Sequence, residues 1–443
     1  QKEFVMLVEF SVENYRSIYN KVTLSMEAVT KNELDDHIRE ISHQRLLKTG
    51  VIYGANASGK SNIFKAFSFM KNMVLNSFKE SQIGEPILVE PFLLNSTGKD
   101  EPSSFEVIFL IDDVLYRYGF SAFRDHIAKE WLFSRKTIPR AREIVLFERL
   151  GQDIKVHSQF KEGKGEVKDK LRENSLFISL LAQFNGKIAQ KIVKCFLDSN
   201  LWAMDAYNPI HTTSLLDNNV VPLEWVNEFM QKADTDIKKI RINEQQMERD
   251  MRINIPNSAL IMGKENKVVT LSIKTIHQFY DSKEDILKEV EFDMEKQESE
   301  GTKKFYCLAV LLYATLQQGG RLFIDEIENS LHPFLTRIII RLFQDKETNP
   351  KGAQLIFTTQ NTLFLNKDNF RRDEIWFVEK APDHSSDLYS LVEYKLPKGS
   401  ARKDASYAKD YIRGKYGAVP YVEYADFAEL FKKSRERTKN EQN

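Results

Sequence analysis

Cysteine is almost absent from this chain, and its two cysteines, Cys195 and Cys307, have no spacing that suits a disulfide or a metal site. A reducing cytoplasm is therefore the simplest compartment. Net charge is also missing, because 64 basic residues balance 64 acidic ones. No overall field marks the chain as a binder of nucleic acid or of a membrane surface, so any such contact must use a local patch.

Long apolar runs are missing as well. The runs at 308–312 and 338–340 are interrupted by charges and turns well short of a membrane span. There is no signal-peptide pattern and no internal repeat. We expect a cytoplasmic protein without membrane contact, and 443 residues allow two or three domains with a large core.

A phosphate-binding motif organises the chain. Residues 54–61 read G-x-x-x-x-G-K-S, after an apolar strand-like stretch and before a helix-like one. The loop N–H groups and the helix N-terminus would face an anion together. We predict that Lys60 reaches the β- and γ-phosphates of ATP and that Ser61 ligates Mg²⁺. The predicted ATP-binding residues of this motif are Gly54, Asn56, Ala57, Ser58, Gly59, Lys60, Ser61 and Asn62.

The periodicity predicts an α/β fold with four parts. Alternating residues, as at 105–111 and 114–120, indicate an antiparallel β lobe that accompanies the phosphate loop in residues 1–158. Helical spacing at 176–181, 188–196 and 225–233 predicts a helical insertion. The predicted boundaries are 1–158 for the N-terminal ATPase lobe, 159–252 for the helical insertion, 253–420 for the C-terminal ATPase lobe and 421–443 for a helical tail.

A second buried strand, at 322–324, runs into Asp325 and Glu326. We predict that Asp325 holds the Mg²⁺ shell, as a Walker B acid does. Glu326 would then orient and polarise the attacking water as the catalytic residue. The alternative is an exposed acidic strand end with no catalytic part.

The stretch Glu298-Ser299-Glu300-Gly301-Thr302, just before a helix, resembles the L-S-G-G-Q signature of ABC-type ATPase heads of the SMC and RecF-like class. Ser299 matches the serine and Gly301 the second glycine, whereas Glu300 and Thr302 depart from the pattern. The resemblance implies that Ser299 and Gly301 face the γ-phosphate of ATP on a second protomer. The alternative is an ordinary helix cap, with Ser299 serving Thr302.

Two further stretches resemble motifs of these ATPases. Residues 327–333 resemble the D-loop, in the L-H-P form of the prokaryotic OLD, AbiL and RloA-like branch, and His332 is expected to be a turn residue near a dimer interface. Gln360 stands where the family has the switch histidine of T-T-H. An amide can donate to a phosphate oxygen but cannot become a cation, so we predict a catalytic role for Gln360 with slow hydrolysis.

The N-terminal stretch 13–17 resembles the N-F-R-S segment that lies against the nucleotide in the same heads. This implies that Arg16 contacts phosphate or ribose, the alternative being a surface arginine at a turn. The Q-loop glutamine has no clear match. Four other segments are similar to the AbiL and RloA-like branch, namely 89–92, 233–237, 371–376 and 414–420.

The resemblance implies an ABC-type P-loop ATPase head that binds ATP and Mg²⁺ and forms a homodimer or higher homo-oligomer. It also implies a part in antiviral defence or abortive infection, as regulator of a separate effector encoded nearby, with a nuclease as the first candidate. Residues 421–443 are too few for the Toprim domain of OLD proteins, so cutting would fall to that partner.

Two alternatives stay open at this point. A RecF-like DNA-repair ATPase would need a basic strip, for which 161–170, 238–239 and 432–439 are candidates, although acids interleave with them. Contact with DNA or RNA is therefore left open. A non-hydrolysing, nucleotide-gated scaffold is suggested by Gln360.

Overall fold

The fold is described here from a computed structural model. It describes all residues except 1–3, 32, 81, 83, 203–208, 210–211, 214–215, 217–220, 234–235, 249–259, 263–266, 281–285, 330, 397–398, 401–405, 421–423 and 441–443. Of the segments that carry the resemblance, Asp234, Thr235 and Ser330 lie outside the described residues, and so do 421–423 and 441–443 of the predicted tail.

The strands of the described residues, in chain order, are β1 (Val5–Glu13), β2 (Val22–Ser25), β3 (Ile38–Ile41), β4 (Gln44–Leu47), β5 (Thr49–Gly54), β6 (Ser103–Ile111), β7 (Val114–Ala122), β8 (Ile127–Lys136), β9 (Ile144–Leu150), β10 (Asp153–Val156), β11 (Ser199–Trp202), β12 (Ile237–Glu248), β13 (Leu260–Met262), β14 (Lys267–Tyr280), β15 (Ile286–Asp293), β16 (Arg321–Ile324), β17 (Gln354–Thr358), β18 (Ile375–Lys380), β19 (Ser386–Ser390), β20 (Lys395–Leu396) and β21 (Gly399–Ser400).

The α-helices of the same residues are α1 (Lys60–Asn76), α2 (Phe177–Gln183), α3 (Lys187–Leu197), α4 (Leu223–Lys232), α5 (Met294–Gln297), α6 (Glu300–Gln318), α7 (Pro333–Gln344), α8 (Tyr407–Ile412) and α9 (Tyr424–Asn440). No helix in this part of the chain is both long enough and apolar enough to cross a membrane.

A six-stranded sheet in the order β11-β16-β17-β5-β18-β19 forms the centre of the fold. Its first five strands are parallel to their neighbours, and β19 pairs antiparallel with β18. Every residue of β5, β16 and β17 is buried, as expected for strands covered on both faces. Because the strands are parallel, the carboxyl ends of β5, β17 and β16 meet at one edge, where ligands bind in open α/β sheets.

Helix α1 is fixed between this sheet and a second one. The second sheet is antiparallel and seven-stranded, in the order β10-β9-β8-β7-β6-β1-β2. The ring of Phe67 on α1 stacks on Phe323 of the first sheet at 4.4 Å and meets Phe10 of the second sheet edge-on at 5.2 Å. Both sheets therefore hold the helix that begins at the phosphate loop.

The other face of the six-stranded sheet is covered by α7 and by the segment after β19. Ile340 and Phe343 of α7 are buried in this layer. The ring of Phe377 on β18 stacks on Tyr411 at 5.5 Å and on Tyr416 at 5.6 Å. The segment 414–420 thus contributes to the core beside the central strands.

The predicted helical insertion at 159–252 contains the expected helices, but it also contains two strands that the helical spacing did not predict. Helices α2, α3 and α4 lie where helical spacing predicted them, but 237–248 form strand β12, which pairs antiparallel with β14. Here Ile240 and Ile242 alternate with charged residues, which is a strand period. Residues 199–202 instead join the central sheet as β11, parallel to β16. The four domain boundaries remain a prediction.

Candidate nucleotide-binding site

The phosphate loop lies between the end of β5 and the start of α1. A Cβ on Gly54 would come within 2.5 Å of the Val378 carbonyl oxygen, so only glycine fits beside β18. Gly59 has a φ of +110° and Ala57 one of +60°, which are turn conformations that L-residues rarely adopt. Asn56 and Ala57 are exposed at the loop tip, while Ser61 and Asn62 lie in the first turn of α1.

Lys60 lies folded over the loop. Its Nζ donates to the carbonyl oxygens of Gly54 at 2.8 Å and Ala55 at 2.9 Å, and the residue is only 6% exposed. Burial lowers the pKa of Lys60, while the carboxylates of Glu326, Asp325 and Glu328 act in the opposite direction. The Lys60 ammonium group is therefore close enough to the acids that follow β16 to interact with them electrostatically.

One hydroxyl group organises the two acids that follow β16. Thr358, the last residue of β17, donates from Oγ1 to Asp325 Oδ1 at 2.6 Å and accepts from the Glu326 backbone N–H at 2.7 Å. Glu326 has a φ of +51°, so the chain turns sharply there. Because β17 lies between β5 and β16, Thr358 stands between the phosphate loop and the acids.

Gln360 lies directly against the predicted catalytic carboxylate. Its Nε2 donates to Glu326 Oε1 at 3.0 Å, and its backbone N–H donates to Glu328 Oε1 at 2.7 Å. The other oxygen, Glu328 Oε2, is buried without a hydrogen-bond partner among the described residues. Sequence reasoning did not single out Glu328, although its position two residues after Glu326 was the available signal.

Three side chains bind the phosphate loop to distant parts of the chain. Ser386 Oγ donates to the Ser58 carbonyl oxygen at 2.6 Å and accepts from the Ser17 hydroxyl, whose Oγ lies 2.7 Å away. Asn62 Nδ2 donates to the same Ser17 hydroxyl at 2.7 Å. The segment 13–17 is thereby brought to the loop through Ser17, and its contact with the nucleotide stays a prediction. Ser386 carries no motif, so no sequence signal could have found it.

Arg16 pairs with Glu90 of the segment 89–92. Its Nη2 lies 2.6 Å from Glu90 Oε1, and its backbone N–H donates to the Glu90 carbonyl oxygen at 2.7 Å. The Arg16 side chain is 29% exposed. Two segments that resemble the same branch therefore meet here, and the contact of Arg16 with phosphate or ribose stays a prediction.

Ser299 is the N-cap of α6. Its Oγ accepts from the Thr302 backbone N–H at 3.1 Å, and Gly301 lies in the first turn of the helix. The preceding residue, Glu298, is held by His277 Nε2 at 2.7 Å. The cap leaves a helix N-terminus with an exposed hydroxyl residue, and its use by a second protomer stays a prediction.

The residues at this edge fit ATP with Mg²⁺. Ser58 Oγ is buried in the loop without a hydrogen-bond partner among the described residues, and Gly54 packs so closely that a Cβ would come within 2.7 Å of it. Mg²⁺ uses one or two carboxylates together with phosphate oxygens and water. Asp325 and Ser61 are the residues that would hold it. Groups of three or more His, Cys, Asp or Glu side chains arranged for a metal are not found in the described part of the chain.

A phosphate loop after a central strand, carboxylates after the next strand but one and a flanking antiparallel sheet define a P-loop ATPase head of the ABC type. The predicted fold class is therefore confirmed. The model of the family described as "AAA domain, putative AbiEii toxin, Type IV TA system" matches residues 51–366. The chain belongs to this family.

Comparison with solved structures finds similar heads at low identity. An Smc head with coiled coil and joint from Pyrococcus yayanosii is 11% identical, covering 93% of this chain and 99% of that one at a TM-score of 0.40. The SMC head domain of Thermotoga maritima is 11% identical, covering 87% and 98% at 0.36. The recombination mediator RecF with ATP is 14% identical, covering 88% and 99% at 0.36. No curated protein matches the chain.

Exchange of Gln360 is expected to change the rate of ATP turnover in a graded way. A neutral amide can donate a hydrogen bond to the γ-phosphate, but it adds no positive charge to balance the negative charge that develops during phosphoryl transfer. We expect Gln360→His to be faster than the unchanged chain and Gln360→Ala slower, measured as steady-state phosphate release. Equal rates for all three chains would mean that Gln360 does not sense phosphate.

Proposed function

We propose that this chain is a slow ATPase that closes as a dimer around ATP and Mg²⁺ and regulates a separate effector. The observation that carries the proposal is the hydrogen-bonded cluster at the end of β17. There Thr358 holds Asp325 and Glu326, and Gln360 donates to Glu326, at the same sheet edge as Lys60. These are the parts that phosphoryl transfer to water requires.

Each residue has a distinct part in the proposed reaction. Lys60 and the loop N–H groups position the β- and γ-phosphates, and Ser58 has a spare hydroxyl for the same anion. Glu326 orients a water molecule and takes its proton. Gln360 fixes the Glu326 carboxylate from one side and donates to the γ-phosphate. Asp325 and Ser61 would hold Mg²⁺, which would supply positive charge to the phosphates.

The site is proposed to be completed by a second copy of the chain. The exposed N-terminus of α6, with Ser299 as its cap and Gly301 in its first turn, is a suitable anion-binding end. In the proposed dimer this end of one copy faces the γ-phosphate bound to the other. Arg16 is proposed to lie near the ribose or phosphates from within the same copy.

A part in antiviral defence is proposed from the resemblance to the OLD, AbiL and RloA-like branch. The matching family also has a toxin–antitoxin system in its description. In this proposal the chain supplies the ATP-dependent switch, and a neighbouring gene encodes the effector, with a nuclease as the first candidate. Helix α9, with Phe427, Leu430 and Phe431 exposed, is the proposed docking element for that effector.

The test of this regulatory part combines co-purification with phage plating. Both genes together should restrict phage, and neither alone should. Deleting 421–443 should leave ATP binding near normal and weaken recovery of the neighbouring gene product. Restriction by this chain alone would contradict the two-component proposal.

A non-hydrolysing scaffold is the second candidate function, and Gln360 is the observation that favours it. The neutral amide donates to Glu326, at the position where the resemblance to SMC and RecF-like heads implies a switch histidine. Tight ATP binding without measurable phosphate release would support the scaffold. Measurable release that Glu326→Gln abolishes would exclude it.

A further inference from the structure

A cavity of about 800 Å³ opens at the end of the central sheet opposite the phosphate loop. Lys48, which lines it, directly precedes β5, and Asn349 and Pro350 precede β17. The phosphate loop begins at the other end of β5, about 20 Å away by the rise of a six-residue strand. The cavity is therefore separate from the site described above.

The lining of this cavity is predominantly basic. Two carboxylates, Asp35 and Glu40, stand against five cations, namely Lys31, Arg39, Arg45, Lys48 and Lys346. Two of the cations are already paired, because Arg45 Nε lies 3.3 Å from Glu40 Oε1 and Lys346 Nζ lies 2.7 Å from Asp36 Oδ1.

The remaining exposed cations of the cavity, Arg39 and Lys31, share it with Asp35 and Glu40 but do not form a salt bridge with either carboxylate. Arg39 places its guanidinium over the ring of Phe4, 5.8 Å from the centroid, which leaves its N–H fork open to solvent. Within the described part of the chain, neither Arg39 nor Lys31 forms an ion pair. These two side chains are thus able to receive an anion without first breaking a salt bridge.

Lys48 supplies a buried cation behind them. It is 2% exposed, and its Nζ donates to the carbonyl oxygen of Gln344 at 2.5 Å, at the C-terminal end of α7. This contact caps the helix favourably, and an ammonium group has three donors. Burial lowers the pKa of Lys48 to about 8, with Asp36 acting in the opposite direction. The capping contact gives Lys48 a structural role, but it gives no role to the exposed cations beside it.

We infer that this cavity is a binding site for the phosphate backbone of nucleic acid. Arg39 and Lys31 are two exposed, unpaired cations beside one open cavity, and two neighbouring cations suit successive phosphates of a chain. None of the described lining residues is aromatic, and the nearby Phe4 ring already lies against the Arg39 guanidinium, so no lining ring is offered for base stacking. It therefore contacts phosphates without choosing a sequence. The inference does not depend on ATP hydrolysis.

The test is binding of a fluorescein-labelled oligo-dT by fluorescence anisotropy over a series of salt concentrations. The double variant Lys31→Gln, Arg39→Gln should bind at least about tenfold more weakly. Its salt slope should be smaller by about 1.4, because two single-strand phosphate contacts contribute about 0.7 each. The matched control is Arg135→Gln, Lys136→Gln, which removes the same charges from the exposed end of β8 and should bind like the unchanged chain.

Further measurements decide what the site recognises. Oligo-dA should bind about as well as oligo-dT, and the cavity variant should keep its ATP affinity. Equal weakening by both double variants, or no binding by the unchanged chain, would overturn the inference. So would displacement of the oligonucleotide by polyglutamate at equal charge, which would indicate an acidic protein partner, or by ATP, which would place the oligonucleotide at the phosphate loop.

Discussion

Replacing Glu326 with glutamine is expected to lower ATP turnover by about a hundredfold or more, the usual contribution of a general base. The amide oxygen of the new side chain can still accept from Gln360 Nε2, which donates at 3.0 Å in the unchanged chain. The local structure should therefore persist while the proton acceptor is lost. ATP affinity is expected to stay near that of the unchanged chain, so closed dimers should accumulate with ATP and Mg²⁺.

The measurement is steady-state phosphate release beside calorimetric titration with ATP. Glu347→Gln is the matched control, since it makes the same exchange at an exposed residue after α7 and should keep both values. If Glu326→Gln hydrolyses ATP at the original rate, the catalytic assignment of Glu326 is wrong.

Replacing Lys60 with alanine is expected to weaken ATP binding at least tenfold, a loss of about 1.4 kcal/mol or more. Lys60 is the cation folded over the loop, where its Nζ bonds the carbonyl oxygens of Gly54 and Ala55. When ATP is bound, the same group is expected to turn to the phosphates. Alanine has no charge to offer and leaves the helix start intact.

Calorimetry with ATP and Mg²⁺ measures this loss, and a thermal melt checks that the fold is retained. Lys65→Ala removes an exposed lysine from the same helix and should leave the affinity unchanged. Unaltered ATP affinity in Lys60→Ala would remove the basis for calling this loop the nucleotide site.

The sequence alone predicted the elements that consist of residues close together along the chain. Residues 49–76 show strand, loop and helix in direct succession, and the acids after β16 directly follow the apolar residues 322–324. The period of two predicted both β6 and β7. Each of these features needs only neighbours along the chain, and periodicity reports such neighbours directly.

Contacts between distant segments could not be predicted in the same way. Ser386 joins Ser17 and the phosphate loop across more than three hundred residues. The hydrogen bond from the Gln360 backbone N–H to Glu328 could be found only from the structure, because it depends on where β17 places Gln360. A lone serine or glutamate has no periodicity of its own, so its partner depends on the packing of the whole sheet.

The segment 371–376, which resembles the AbiL and RloA-like branch, forms a buried cluster that only the structure shows. Arg371 is buried with Asp373 at 2.9 Å, and Glu374 binds His37 Nδ1 at 2.8 Å and the hydroxyl of Thr49 at the start of β5. Breaking such a buried pair leaves an uncompensated charge, so the cluster resists change. Because the cluster lies at the start of β5 and β18, away from the phosphate loop, we assign the segment a structural role and not a catalytic one.

The composite site is the central claim, and mixing two defective chains tests it most directly. Lys60→Ala chains lack the phosphate cation, and Ser299→Arg chains place a bulky cation at the start of α6, so each alone should show negligible ATP turnover. In a mixed dimer, one site joins an intact Lys60 to an intact Ser299 from the other copy. A composite site predicts that mixing restores part of the original turnover. Normal turnover by Ser299→Arg alone, or no recovery on mixing, would contradict it.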